Sequence, residues 1–194
     1  MRYLKMLGIA AMAAMALTAV AGAGTASAET LWTTTADGSL DTLKVGSELN
    51  ASLEAGTSAV LKDSSNTTID TCTSSTVKGK IESNGTPASG KISSLTFGGC
   101  SHTTKVLTPG SLTITSSGAV TSAGAEVTVV STVFGISCIA KTGSGTSIGT
   151  LKDAPSSTGH ATMTINASLP MGACGTATWT GAYTVTSPTG LHAD

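Results

Sequence analysis

The stretch A-T-W-T-G-A-Y-T-V-T-S, from Ala177 to Ser187, carries the clearest structural signal in this chain. Small or apolar side chains alternate with threonines along most of it, which is the period-two pattern of a β-strand with one buried face. The stretch from Ala161 to Leu169 alternates in the same way. Because a strand is not stable alone, the two stretches predict a long antiparallel hairpin. Its loop, Pro170 to Gly175, carries Cys174.

Trp179 and Tyr183 lie on the apolar face of this strand, about 13 Å apart at the rise of a strand. Two such rings can stack on sugars or contact an apolar ligand, and Trp32 is a third candidate contact. We expect Trp179 and Tyr183 to fill the core instead, because the chain is poor in aromatics. The opposite face of the strand is almost all Thr and needs no burial.

The first residues have the features of a secretory signal peptide of bacterial style. A short basic start precedes an apolar core from Met6 to Ala21, and Ala26-Ser27-Ala28 is a small-residue cleavage site. We therefore expect residues 1–28 to be removed and residues 29–194 to form a single exported domain. The apolar run is short for a membrane span, so we expect a secreted or cell-surface protein without a transmembrane anchor.

The composition indicates an all-β protein. Charged residues make up 11% of the chain and aromatic residues 3%, whereas there are 23 glycines. About ten short alternating runs are separated by Gly, Pro, Asn and Asp turns. The pattern predicts an antiparallel β-sandwich, with the jelly roll as one candidate topology. Val127 to Ala140, the most apolar stretch after the leader, is expected to supply central core strands with a bend near Gly135.

All four cysteines, Cys72, Cys100, Cys138 and Cys174, lie in the exported part. An even number of cysteines in an oxidising compartment indicates disulfides, and four allow three pairings. We favour Cys72 with Cys100 and Cys138 with Cys174, because sequential pairing links neighbouring strands through loops of moderate length. No C-x-x-C or pair of histidines stands at ligand spacing, so we predict neither a metal site nor a cofactor.

The charge excludes some partners. The formal net charge is −1 and the lysines are scattered along the chain. A protein that binds nucleic acid or an anionic membrane surface normally has a basic patch. We therefore expect neither as a partner.

The segment Gly145-Thr146-Ser147-Ile148-Gly149 matches the G-x-S-x-G pattern of a hydrolase nucleophile elbow, and Asp153 and His160 follow it. That chemistry requires a strand, a sharp turn and a helix, and no helical pattern follows Gly149. A chain this rich in Gly and Ser matches the pattern by chance. We therefore predict no enzymatic activity and keep a hydrolase centred on Ser147 as an alternative.

Three further segments carry a resemblance. They are L-T-F-G-G-C (Leu95 to Cys100), L-T-P-G-S-L-T-I-T (Leu107 to Thr115) and the terminal A-T-W-T-G-A-Y-T-V-T-S-P. Together with the signal peptide and the four cysteines, these segments resemble small secreted proteins, mostly of actinobacteria, that have no assigned function. They are more distantly similar to secreted activators of alkane oxidation. The resemblance implies an exported β-protein that acts on apolar substances or at the cell surface, and it implies no site residues.

Together these observations lead us to expect a secreted, non-enzymatic β-sandwich protein that acts in extracellular or cell-surface interactions. An exposed sheet edge would pair with other copies of the chain. The alternative is a binding module for hydrophobic compounds or glycans that uses Trp32 or a cleft beside Trp179. Clustered, solvent-facing Trp179 and Tyr183 would favour this alternative, and their burial would count against it.

Overall fold

The structure is a computed structural model that describes residues 30–131 and 136–194. The predicted signal peptide, residues 1–28, and the bend expected near Gly135 lie outside them. The described part contains fifteen strands and one helical segment, a 3-10 turn at Gly172–Cys174, so the all-β class is confirmed. No helix in this part is long and apolar enough to cross a membrane. The strands are β1 Leu31–Thr34, β2 Leu40–Thr42, β3 Glu48–Leu53, β4 Ala59–Asp63, β5 Thr68–Ser83, β6 Ala88–Cys100, β7 Thr103–Thr108, β8 Ser111–Ile114, β9 Ala119–Ala123, β10 Glu126–Ser131, β11 Ile136–Lys141, β12 Thr146–Lys152, β13 Thr162–Pro170, β14 Thr176–Ser187 and β15 Leu191–Ala193.

The largest sheet is antiparallel and closes on itself as a barrel of eight strand positions. Its order is β13-β12-β9-β8-β6-β5-β3-β14, and β14 pairs with β13 to complete the ring. β4 also lies between β5 and β14, beyond the end of β3. The long strands β5 and β14 therefore pair first with β4 and then with β3, which together act as one strand interrupted at residues 54–58.

This closure means that the predicted β-sandwich or jelly roll is not confirmed. A sandwich packs two sheets face to face, whereas here one sheet wraps around its own core. Closure requires sharp local bends, and the pairing register shifts next to Gly79 and Gly149. A Cβ at Gly149 would lie 1.9 Å from the Thr164 carbonyl oxygen, and one at Gly79 would lie 2.6 Å from that of Lys91. Only glycine allows the strands to approach this closely at these corners.

The predicted hairpin of β13 and β14 is present, with pairs that run from Thr162 opposite Thr184 to Pro170 opposite Thr176. The alternate β13 residues that were expected to lie on one face are all buried. Their side chains point into the barrel, because the polar residues between them, Thr164, Asn166 and Ser168, are exposed. These buried residues are Met163, Ile165, Ala167 and Leu169.

Both predicted disulfides are present. Cys72 and Cys100 face each other across β5 and β6, and their bond joins the ends of that hairpin. Cys138 of β11 is bonded to Cys174, in the turn that precedes β14. Since each bond closes a loop of about thirty residues or more, each contributes roughly 4 kcal/mol in the chain-entropy account.

Two three-stranded sheets cover the ends of the barrel. The base sheet (β15-β1-β2) inserts Leu31 and Leu191, both fully buried, beside Ile81 and Ile114 of the barrel. The cap (β11-β10-β7) lies over the other end.

The cap contains β10 and β11, which are the described parts of the apolar stretch Val127 to Ala140. The expectation that this stretch supplies central core strands is confirmed only in part. Val129, Cys138 and Ala140 belong to the hydrophobic core, but β10 pairs with β11 and β7, and neither β10 nor β11 pairs with a barrel strand. Val129 and Ala140 are buried against the barrel mouth, which explains the apolar composition of the stretch. An apolar composition indicates that a strand is buried, but it does not indicate which sheet the strand joins.

Candidate functional site

A cavity of about 90 Å³ lies inside the barrel beneath the cap. Inward-pointing barrel side chains form its walls, and Val127, Val129 and Ala140 of the cap form its roof. A second cavity of about 40 Å³ lies toward the base sheet. A layer of apolar side chains lies between the two. The residues that border both cavities are Val77, Ile92, Leu112 and Met163.

Three aromatic rings line one wall of the larger cavity. The ring centroids of Phe97 and Trp179 are 5.9 Å apart and those of Trp179 and Tyr183 are 6.4 Å apart, both pairs edge to face. Gly181 separates Trp179 from Tyr183 on the same face of β14, and a Cβ there would lie 3.1 Å from the Tyr183 ring. The glycine therefore leaves room for this arrangement.

The location of these rings decides what they can contact. Tyr183 is 1% exposed, and Trp179 packs against the core. Both lie inside the barrel, as the alternation of the strand led us to expect, so they do not form an open platform for sugar rings. They line the apolar cavity beneath the cap instead.

The hydroxyl of Tyr183 is the polar end of this wall. It donates a hydrogen bond of 3.0 Å to Ser75 Oγ, which is also buried. Burial raises the pKa of Tyr183 to about 12, because an apolar surrounding disfavours the phenolate; the Ser75 hydroxyl offsets part of this effect. Tyr183 is therefore a neutral donor whose hydrogen bond is already made.

A buried carboxylate, Asp70, lies in the wall near the cap and is 3% exposed. Its Oδ1 accepts hydrogen bonds from the Thr71 N–H at 2.9 Å, the Ser101 hydroxyl at 2.8 Å and the His102 N–H at 3.0 Å. Its Oδ2 accepts one from the Thr104 hydroxyl. These bonds hold the turn between β6 and β7, and so they fix the cap to the barrel rim.

The neighbouring sulfurs do not make Asp70 a metal ligand. Asp70, Cys72 and Cys100 bring three potential ligand atoms close together. Both sulfurs are in the disulfide, so neither is the thiolate that a metal requires. For the same reason Cys72 Sγ, 3.7 Å from Asp70 Oδ2, has no proton to donate. Among the described residues, Thr104 is the one donor to Oδ2.

A second polar group lies in the cavity wall where β9 and β11 end. Ser122 Oγ and Thr142 Oγ1 are 3.2 Å apart, and the Ala125 N–H donates to Thr142 Oγ1 at 2.8 Å. These hydroxyls bind each other and the backbone of the connection between barrel and cap. They carry no charge, unlike Asp70.

The residues of the hydrolase hypothesis are not brought together. Ser147 is exposed near the start of β12, with no sharp strand-to-helix turn around it. The two glycines of its motif have structural roles: Gly145 has a positive φ of 81° in the turn before β12, and Gly149 forms a barrel corner. The Asp153 carboxylate accepts a bond from the Ala193 N–H, and His160 Nδ1 lies 2.9 Å from the Val185 carbonyl. The geometry gives a nucleophilic Ser147 no support.

Trp32 lies in the base sheet, far from the aromatic wall, and pairs with Thr42 and His192. Nearby, His192 Nε2 is 2.5 Å from Thr34 Oγ1. With Asp153, these side chains form a row of hydroxyl, imidazole and carboxylate groups. However, His192 Nδ1 lies 3.7 Å from Asp153 Oδ2, which is too far for a hydrogen bond. Since none of these side chains lines either cavity, we assign no reaction to this group.

Sequence reasoning missed Asp70, Phe97, Thr104 and the role of the cap. A signal for Asp70 was present: it stands two residues before Cys72, and residues two apart in a strand share a face. A cysteine bridged to the facing strand therefore indicated that Asp70 lies on the same face. In the same way, Phe97 stands two residues after Leu95 and therefore shares its face of β6, and both residues line the cavity.

Comparison with known proteins adds no relative from which a function could be carried over. No protein-family model matches the chain, and no curated protein or solved structure is significantly similar to it. The similarity to secreted activators of alkane oxidation stays a prediction. The function is therefore inferred from the chemistry of the cavity.

Proposed function

We propose that this protein binds a small apolar molecule in the cavity beneath the cap. The observation that carries the proposal is an aromatic-walled, largely apolar cavity at the centre of a closed barrel. Barrels of about eight strands are just wide enough to be filled by side chains or to hold one small ligand. Here the side chains leave a space, and apolar cavities of comparable size take up xenon or small hydrocarbons.

The size of the cavity limits the ligand. A cavity of about 150 Å³ in another protein accepts benzene, and the present one is about 90 Å³. This corresponds to a molecule of roughly three to four non-hydrogen atoms, at about 30 Å³ for a group the size of a water molecule or about 25 Å³ per carbon atom of benzene. The ligand that fits the barrel without rearrangement is a short hydrocarbon chain or a small ring.

We infer that the ligand enters at the cap. Short connections join the cap to the barrel at residues 101–102, 109–110, 124–125 and 142–145, and three of these contain glycines with positive φ, Gly110, Gly124 and Gly145. On the far side, the Cys138–Cys174 bond ties β11 to the turn before β14. Movement of three short strands opens the barrel mouth without breaking any pairing within the barrel.

We propose that the protein works outside the cell. Disulfides persist in oxidising compartments and are rare in the cytosol, and this chain has two. The leader at residues 1–28 supports the same inference. A secreted protein with an apolar cavity is suited to carry or sequester a small, poorly soluble molecule.

The test is xenon binding followed by NMR. We expect the methyl signals of Leu95 and Val129 to shift and saturate as the xenon pressure rises. Ala140→Leu, which fills the space from the cap, should abolish the response. Ser137→Leu adds the same side chain at an exposed position of the same strand and should leave the response intact. An equal xenon response in the wild type and Ala140→Leu would overturn the proposal.

Self-association is a second proposal, supported by a separate observation. Closure leaves no free edge in the barrel, but β7 and β11 are edge strands of the cap. Leu107 of β7 is 47% exposed and Ile136 of β11 is 49% exposed, so each edge carries an apolar side chain in solvent. We expect sedimentation to detect oligomers that Leu107→Lys and Ile136→Lys dissociate. A concentration-independent monomer would rule this proposal out.

A further inference from the structure

We propose that the ligand is not a pure hydrocarbon but a short alkyl amine, whose ammonium group binds Asp70 Oδ2. This inference rests on the proposed function, because it concerns the same cavity. It deepens that function by giving the ligand a polar end and a direction. The head group lies at Asp70 near the rim, and the apolar part lies against Trp179 and Val129.

The hydrogen bonds of Asp70 leave a place for this head group. Each oxygen of a carboxylate has two lone-pair sites. The three donors to Oδ1, on Thr71, Ser101 and His102, share both of its sites. Oδ2 accepts one bond, from Thr104, so one of its two sites is left, and Asp70 is part of the cavity wall. The remaining acceptor capacity of the side chain is therefore on Oδ2.

The charge of Asp70 favours an ammonium group over a hydroxyl. A buried carboxylate is normally paired with a cation, because an unpaired buried charge is costly. The groups that bind Asp70 are neutral N–H and O–H donors, and the nearest imidazole nitrogen, His102 Nδ1, is 3.8 Å from Oδ1. Lys141 also lines the cavity, but its Nζ is 2.8 Å from Glu126 Oε1. An ammonium group on the ligand supplies the missing cation.

The other polar groups of the cavity wall leave Asp70 as the place where the head group binds, and this sets the orientation of the ligand. The other polar pair, Ser122 and Thr142, is satisfied by its own hydrogen bonds. Tyr183 donates to Ser75 and offers no second charge. Of these wall groups, only Asp70 has a charge with no partner of opposite sign within hydrogen-bond distance.

The experiment compares three probes of equal size on the full chain. These are n-butane, 1-propanol and n-propylamine, which have four non-hydrogen atoms each. Dissociation constants are measured at neutral pH from the NMR shifts of the cavity methyl groups. We expect n-propylamine to bind at least about tenfold more tightly than n-butane, with 1-propanol in between, because bonds to charged groups are the stronger ones.

Asp70→Asn is the matched variant. The amide oxygen can accept the bonds that Oδ1 accepts, and the amide nitrogen can donate to Thr104 Oγ1, so the turn keeps its hydrogen bonds. We expect this variant to lose the preference for n-propylamine over n-butane. Thr104→Val gives an independent readout if Asp70→Asn does not fold: it removes the described donor to Oδ2, so the preference for n-propylamine should rise.

The possible results separate the two proposals. If n-butane binds and n-propylamine binds no better, the amine inference is overturned and the apolar cavity stands. If 1-propanol binds more tightly than n-propylamine, the ammonium assignment is overturned. If Thr104→Val leaves the preference unchanged or lower, Asp70 does not hold the head group. If none of the probes binds, both proposals fail.

Discussion

Alkaline titration of Tyr183 tests whether the barrel interior is as closed as the structure indicates. The chain has two tyrosines, and Tyr3 lies in the predicted signal peptide, so Tyr183 is the one phenol of the exported residues 29–194 that can ionise. Burial raises the pKa of Tyr183 from 10.0 to about 12, with the Ser75 hydrogen bond acting in the opposite direction. The fold therefore favours the protonated phenol.

The sign and size of the effect follow from this shift. Because the pKa is higher in the folded state than in the unfolded state, the contribution of Tyr183 to stability is complete below pH 10. It is lost as the pH rises through about 12. A difference of two pKa units is worth about 2.7 kcal/mol at 1.36 kcal/mol per unit. We expect the free energy of unfolding to fall by an amount of this order between these pH values.

The assay is the absorbance of the phenolate after a rapid jump from pH 8 to about pH 11, a value between the two pKa values. We expect little phenolate immediately after the jump, followed by a slow rise at the rate of unfolding measured by circular dichroism. Tyr183→Phe is the control, and its stability should depend less on pH over the same interval. Immediate ionisation with a pKa near 10, before any loss of the circular dichroism signal, would refute the enclosed interior.

Three further predictions follow from other contacts. Asn84→Ala should lower the free energy of unfolding by about 3 kcal/mol in urea denaturation, because the Asn84 side chain makes three buried hydrogen bonds to the backbone of residues 31 and 43; a change below 1 kcal/mol would contradict this contact. Replacing Cys138 and Cys174 with Ala should speed xenon exchange into the cavity and reduce stability by about 4 kcal/mol, whereas an unchanged exchange rate would show that ligands do not enter at the cap. NMR titration should give Asp37 a pKa of about 2, held low by hydrogen bonds from Thr35 and Ser39, and an Asp37 carboxyl that titrates near 3.8 would argue against this turn.

Local features of the fold could be predicted from the sequence because they depend on neighbouring residues. Alternation identified β13 and β14. The Cys72–Cys100 pairing was predicted because sequential pairing links neighbouring strands, and β5 and β6 place the two residues directly opposite each other. In these cases the residues that pair are joined by one turn or a short loop.

The candidate cavity could not be predicted in the same way, because its residues come from strands far apart in sequence. Phe97 and Trp179 meet only after β5, β4 and β14 are assembled side by side. The apolar face of each strand was evident, yet the pattern does not say whether a face meets another side chain or an empty space. Whether a space remains depends on the total volume of the side chains that point into the barrel, and in this chain many of these inward positions are Ala or Gly.

Closure of the sheet also determines which functional hypothesis gains support. In an open sandwich, the first and last strands expose unpaired N–H and C=O groups, which is the basis of assembly by strand addition. Here β13 and β14 pair as a hairpin and complete the ring, so the barrel has no such strand. The same closure encloses the apolar face of β14, with Trp179 and Tyr183, around a space instead of pressing it against a second sheet. Tyr183 is buried and Trp179 packs against the core, which counts against the binding module with an open cleft that the sequence left as an alternative. The site proposed above is a different one, because it lies inside the barrel, where these buried rings line the space that the ligand would occupy.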